Sequence, residues 1–412
     1  MSKYLKYFIV ISIVLLSGFI VSTSKVTKNP NPTVKDLIVE KEKKEIFNLV
    51  SYPKEQIEKV TYKLDSLFTR IHKRQDFNGS ILIAKNGKLL FSNEYGYANF
   101  GKKTKIDQKS VFQLASVSKQ FTATAIMILK EKNLLKLEDS VTNYFPKFPY
   151  KDVTIKHLLN HTAGLPNYFW VAEHKWNEEK APTNSEMMQL LADTNANRFF
   201  KPGRNFDYSN TGYFVLASII EEITNVSYSE FIAENIFKPL QMNDSFVYSY
   251  ENDSIKNNQL VGYRPYKGWR HLKINGTVND AVVGDKNVYA TSEDLYKWIT
   301  GLNSEKLISS ESLDQMYSEG ETKYGRKIPY GFGFRLNTKD GEKVIYHYGR
   351  WNGFSTAVSQ FTDSDLLIIA LDHSSFRSMT YLNKTAKQII EDNLDFENSD
   401  FTDEQTSFIQ NY

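Results

Sequence analysis

The sequence contains no cysteine. That excludes a disulfide framework, a thiolate metal site and a cysteine nucleophile. It also removes the thiol that usually accepts a lipid anchor. No charge of one sign dominates: 51 Lys and Arg face 48 Asp and Glu, for a net charge of +3. Without a long basic block, nothing points to nucleic acid. No G-x-S-x-G is present, which excludes the strand–turn–helix elbow of α/β-hydrolases as the seat of a reactive serine. No phosphate-binding loop is present, and Gly331 and Gly333 fail G-x-G-x-x-G because Leu336 holds the third position. His157 and His161 stand four residues apart, but Leu158 follows His157 where a zinc motif would carry glutamate. The other histidines form no ligand cluster, so neither a metal nor a cofactor is expected.

Long apolar runs are also missing. The longest mostly apolar stretch, Phe8–Val21, follows Lys3 and Lys6 and ends at the small residues Ser22-Thr23-Ser24. It is shorter than the roughly 20 residues that a spanning helix needs and suits a signal-peptide core. Residues 1–24 therefore read as a signal peptide or an N-terminal membrane anchor. Export follows from either: to the periplasm or outside the cell, or with the protein anchored in the inner membrane facing outward. Residues 25–53 carry Pro30, Pro32 and the charged run Glu40–Glu45, and read as a linker. Residues 395–412 form an acidic polar tail.

What is present between these ends suffices for a large core: 41% hydrophobic residues and 14% aromatic ones. Ile57, Val60, Leu64, Leu67, Phe68 and Ile71 recur at helical spacing across 54–74. Two strand-like runs, 80–84 and 88–93, flank Asn86-Gly87, a strong hairpin signal. A helix is expected over about 117–133. Helices and loops follow to about 280, and Thr291 with Asp294 resembles a capping box that opens a helix to Leu302. Strands are expected at 331–336, 342–348, 355–361 and 366–372, then a helix at about 379–393. Strands at both ends with helices between them give an α+β fold over 54–394. One antiparallel sheet is flanked by helices, with a mostly helical region inserted.

The most informative stretch is Ser116-Val117-Ser118-Lys119, where the 117–133 helix begins. A serine hydroxyl needs a base to take its proton, and residues i and i+3 share a helix face, so Ser116 and Lys119 can point the same way. Burial and the helix N-terminus both favour a neutral lysine, which can act as that base. Spacing alone leaves Ser116 and Ser118 both open as nucleophile. Further along stand Tyr208-Ser209-Asn210, in a loop leading into an apolar run, and His347-Tyr348-Gly349, in a strand-like segment.

These three elements in this order resemble the serine β-lactamase and penicillin-binding-protein family, whose parent signature is S-x-x-K, S-D-N and K-T-G. The chain is most similar to its class C branch, with the esterase and D-aminopeptidase relatives. Thr154–Pro166, Gly284–Trp298 and Tyr330–Gly333 look like family segments too. Two features depart from the pattern. His347 replaces the expected lysine, and Lys286-Asn287 stands where relatives often carry two glycines, which would stiffen or fill that loop.

The resemblance implies a β-lactamase/transpeptidase-like fold and a serine hydrolase with an acyl-enzyme intermediate. Ser116 would be the nucleophile, and Lys119 with Tyr208 the coupled base, the division of labour between the two left open. The backbone N–H groups of Ser116 and Arg350 would form the oxyanion hole. His347 would hold the Tyr208 region or touch the polar end of the substrate. Asn210, Gly349, Arg350, Tyr168 and Trp351 would line the substrate cleft. Because His347 is mostly neutral at pH 7, esters or D-amino-acid-type amides are favoured over anionic β-lactams. A cell-wall D-Ala peptidase or weak β-lactamase is the alternative within enzymes, and a catalytically silent membrane-tethered scaffold the alternative outside them. The expected partner is a small ester, amide or peptide. Membrane contact would run through the N-terminal segment, and the oligomeric state is left open.

Overall fold

The computed structural model describes residues 52–248, 258–268, 270–339 and 341–394. The expected leader or anchor, the linker up to residue 51 and the acidic tail lie outside the described residues. All described residues fall in one unit, 50–412. Among them no helix is long and apolar enough to cross a membrane.

Helix α1, Lys54–Gln75, buries Val60, Leu64, Leu67, Phe68 and Ile71 of the expected stripe and leaves Ile57 partly exposed near its start. It leads into the hairpin of β1 (Gly79–Lys85) and β2 (Lys88–Tyr95). Asn86 and Gly87 both take positive φ, as a tight primed turn requires. The chain leaves the sheet, builds the helical region and returns through β3 (Arg335–Lys339), β4 (Glu342–Trp351), β5 (Phe354–Phe361) and β6 (Leu366–Asp372). The sheet order is β3-β4-β5-β6-β1-β2, with every neighbour antiparallel.

Alternation along these strands divides the core between the two faces. Ile81, Ile83, Val344, Ala357, Ile368 and Ala370 pack toward α1 and the C-terminal helix Met379–Glu391. Leu82, Ile345, Val358, Ile369 and Leu371 face the other way, onto the helical region. At the centre of that second layer lies α2, Ser118–Glu131, with all of Ser118–Leu129 buried. Beside it runs α3, Asn210–Thr224, equally buried from Thr211 to Ile220.

Two local expectations need correction. The strand expected at 331–336 begins only at Arg335. Residues 331–334 form a turn closed by the Gly331 N–H on the Phe334 carbonyl. Gly333, at φ +79°, lies so close to α2 that a Cβ there would meet the Lys119 carbonyl at 2.8 Å. The turn is thus pinned to α2, where a straight strand could not follow. Thr291 does cap the helix Ser292–Asn303. The Asp294 carboxylate, however, does not return to the cap. It accepts from Asp244 N and Ser245 Oγ and ties in a distant loop.

Candidate active site

The serine turn is built with strain. Ala115 has φ +49°, a conformation costly for a residue with a Cβ, and a short 3₁₀ turn over Ala115–Val117 delivers the chain into α2. The turn is fastened on both sides. The Thr356 hydroxyl of β5 donates to the Leu114 carbonyl at 2.8 Å, and the Ser118 Oγ accepts from Val288 N at 3.0 Å. That second contact separates the two candidate serines. Ser118 is fully buried and occupied, whereas Ser116 is partly exposed.

Lys119 is 0% exposed. Its Nζ lies 2.7 Å from Asn210 Oδ1, 2.8 Å from the Asp285 carbonyl and 3.2 Å from Ser116 Oγ. Burial lowers its pKa to about 7; Asp285 opposes the shift and Arg335 assists it. Tyr208 lies just ahead of α3, its ring 5.1 Å from Lys119 Nζ. Its hydroxyl is buried without a well-formed hydrogen bond. Burial raises that phenol above its ordinary value, against the opposing pull of Ser116 and Arg335.

His347 is 1% exposed and fully engaged within the protein. Its Nδ1 sits 2.8 Å from the Tyr348 carbonyl, which can only accept, so Nδ1 carries the proton. Nε2 is then the acceptor for the Tyr330 hydroxyl at 3.1 Å. Burial, with Lys119 and Arg335 nearby, holds its pKa well below the usual imidazole range. Both ring nitrogens of His347 are thus engaged within the protein, and its ring lies 6.0 Å from that of Tyr208.

Gly349 brings β4 against the serine turn. A Cβ there would meet the Leu114 carbonyl at 2.2 Å and Thr356 Oγ1 at 2.3 Å. The pairing of β4 with β3 ends at Tyr346, so the edge of β4 over His347–Trp351 lies unpaired beside Ala115–Val117. The Arg350 side chain is exposed. Trp351 is partly exposed, with its indole N–H on Asp280 and its ring 5.0 Å from Phe169. Tyr168, expected to line the cleft, does not: it is 0% exposed. It faces inward because its hydroxyl donates to Asp285 Oδ2 and accepts from Lys286.

Several residues at the site were not assigned to it from sequence. The His161 ring, 1% exposed, packs tilted against Tyr208 at 4.3 Å and edge-on against Tyr330 at 4.5 Å. Its Nδ1 accepts from Ser209 N. Arg335 lies 4.9 Å over the Tyr208 ring, with no carboxylate within ion-pair reach among the described residues. His161, Asp285, Lys286 and Tyr330 all sit in segments that resemble family segments, so the signal was present without a role attached. For Arg335 no sequence signal existed. His157 serves its own helix, with Nδ1 on the backbone of the cap residue Thr154.

The family model for Beta-lactamase matches residues 64–387. The chain is 34% identical over 320 residues to penicillin-binding protein 4* of Bacillus subtilis, covering 75% of this chain and 71% of that protein. A longer relative, the Staphylococcus aureus protein flp, is 29% identical over 68% of this chain, which spans only 56% of it. Among solved structures, the octameric penicillin-binding protein homologue from Pyrococcus abyssi superposes with a TM-score of 0.69 at 26% identity, over 81% of this chain and 78% of the other. The D-amino acid amidase from Ochrobactrum anthropi shares the fold, at TM-score 0.66 and 20% identity over 82% and 99% of the two chains. With the three motifs gathered around one serine in this fold, the chain belongs to the beta-lactamase family.

Proposed function

We propose that the protein is an exported serine hydrolase that forms an acyl-enzyme on small esters or D-amino-acid-type amides. One observation carries the reading. Buried Lys119 has three neighbours, and two of them, Asn210 Oδ1 and the Asp285 carbonyl, can only accept. A neutral amine has two N–H groups to give them, which leaves its lone pair for the third, the Ser116 hydroxyl. A base poised near neutral pH is what proton abstraction from serine requires.

In the first half-reaction Ser116 Oγ bonds to the substrate carbonyl carbon while its proton passes to Lys119. The negative oxygen that develops would be met by the backbone N–H groups of Ser116 and Arg350, a reading supported by the unpaired edge of β4 beside the serine turn. Such a donor contributes roughly 3–4 kcal/mol to a transition state. As the bond to the leaving alcohol or amine breaks, the leaving group takes up the proton. Water then attacks the acyl-enzyme and gives a proton to Lys119; as the bond from the acyl carbon to Ser116 Oγ breaks, Lys119 returns that proton to the serine oxygen and the free acid leaves. Tyr208, whose phenol burial keeps protonated, relays protons and does not start as the base. Asn210 orients the Lys119 amine. The ring of Trp351, with Phe169 beside it, offers an apolar wall for the substrate.

The site's geometry equally suits the amide bond of a cell-wall D-Ala peptide. A panel of p-nitrophenyl esters, D-amino-acid anilides and a chromogenic cephalosporin separates these substrates. Turnover of the first two classes ahead of the cephalosporin is the expected outcome. No turnover of any class, together with no labelling by a fluorophosphonate probe, would leave the silent-scaffold reading standing. Export is tested by fractionating the untagged full chain, with recovery outside the cytosol expected.

A further inference from the structure

Lys286 is a lysine with no evident business in a core. It is 2% exposed, and three aromatic rings surround its ammonium, those of Phe169 and Trp351 at 5.2 Å and Tyr168 at 5.3 Å. Its Nζ donates to Tyr168 Oη at 2.5 Å, to Asp285 Oδ1 at 3.3 Å and to the Val282 carbonyl at 3.3 Å. The Tyr168 hydroxyl in turn donates a hydrogen bond to Asp285 Oδ2 at 3.1 Å. Lysine, tyrosine and carboxylate thus close a ring of polar contacts inside an apolar shell.

The ring adjoins the catalytic amine. The backbone carbonyl of Asp285 accepts from Lys119 at 2.8 Å. The Tyr168 N–H is bound to Thr211 Oγ1, which donates to the Pro166 carbonyl, and Thr211 follows Asn210, the second acceptor of Lys119. Two of the three partners of Lys119 are therefore fixed by the elements that this ring ties together. The turn has little other freedom. Gly284 is pressed on α3, where a Cβ would meet the Tyr213 carbonyl at 2.5 Å, and Asn287 takes φ +76°.

We propose that Lys286 is a positioning residue for Lys119: it clamps the Asp285 turn whose carbonyl holds the catalytic amine, and it cancels the Asp285 charge beside that amine. A purely structural explanation is less economical. A methionine would fill the same aromatic shell without desolvating an ammonium, and buried ion pairs are in general poor sources of stability. What a methionine could not do is offset the carboxylate. Left alone, that carboxylate would favour the protonated, inactive form of Lys119. Asp285 pulls the pKa of both Lys119 and Lys286 up, so the two amines share one carboxylate, and Lys119 pushes the Lys286 pKa down.

The inference rests on the acyl-enzyme reading above, and its test is separable from that reading. The other groups facing Lys119 stay constant through the test: Tyr208 just ahead of α3 and Tyr213 on it, His161 in the loop after the helix Ile155–Leu159, Tyr330 ahead of β3, Arg335 on β3 and His347 on β4. The measurement is the Lys119 titration, read directly by ¹³Cε chemical shift in the full chain carrying Ser116→Ala, and independently as the acid limb of fluorophosphonate labelling with Ser116 intact. Lys286→Met should move both upward by about one pH unit. Asp285→Asn should move both down, and the double variant should return close to the parent. Lys286→Arg, which keeps the charge, covers the case in which Lys286→Met does not fold. It should leave the Lys119 titration close to that of the parent, and Asp285→Asn should move it down. Folded variants that lose thermal stability while the Lys119 titration stays fixed would overturn the proposal. A wild-type protein that never labels at Ser116 would instead overturn the acyl-enzyme reading, while the NMR titration still decides the electrostatic link.

Discussion

Gly349→Ala isolates the oxyanion geometry. The added methyl has no room: its Cβ would sit 2.2 Å from the Leu114 carbonyl, 2.3 Å from Thr356 Oγ1 and 3.1 Å from the Ala115 Cβ. The first two must retreat by about an ångström and the third by a few tenths, and all belong to the serine turn or to the strand that fastens it. The overpacking should cost about 1–3 kcal/mol of stability. The displacement also draws Arg350 N–H away from Ser116. Removing one oxyanion donor costs roughly 10²–10³ in kcat, so kcat should fall by about that factor while the protein stays folded. Gly79→Ala is the control. Its Cβ would meet the Leu371 carbonyl at 1.7 Å, in the same sheet but on β1, so it should lower Tm with little effect on kcat. Both are read by kcat on a p-nitrophenyl ester and by thermal unfolding. A folded Gly349→Ala protein with wild-type kcat would refute the assignment of the oxyanion hole to this edge of β4.

Other expectations follow from the same geometry. With Lys119 needed as a free amine and its pKa lowered to about 7, kcat/KM should rise with pH along a limb centred near 7. Arg335 helps hold that value down, so Arg335→Met should move the limb to higher pH, as a kcat/KM–pH series would show. Ser118→Ala removes the acceptor for Val288 N in a buried setting and should cost about 1–3 kcal/mol of stability, seen in denaturant unfolding, while kcat is largely kept. His347→Lys would bury an ammonium in a slot whose two polar partners fit an imidazole. The variant should unfold at markedly lower temperature and should not gain binding of carboxylated substrates, measured by differential scanning calorimetry and by KM for a β-lactam.

Much of this architecture was legible because it obeys simple periods. The 3.6-residue stripe of α1, the Asn86-Gly87 turn and the continuous apolar runs of β5 and β6, buried on both faces, all depend on local sequence. The serine, lysine, tyrosine and histidine motifs were legible because their chemistry needs particular residue types at particular spacings. What stayed hidden is decided by long-range contact. Tyr168 read as a cleft aromatic, yet its partners Asp285 and Lys286 lie more than a hundred positions away. The turn at 331–334 broke an apparent strand because Gly333 has to clear α2. The choice between Ser116 and Ser118 depended on Val288, which no spacing rule connects to either serine.

The central claim is that Ser116 is the nucleophile, and covalent labelling tests it most directly. Wild-type protein treated with a fluorophosphonate and measured as intact mass should gain one adduct, which peptide mapping places on Ser116. The Ser118→Ala protein should gain the same adduct, and the Ser116→Ala protein none. An adduct on Ser118, or labelling that survives Ser116→Ala, would contradict the account.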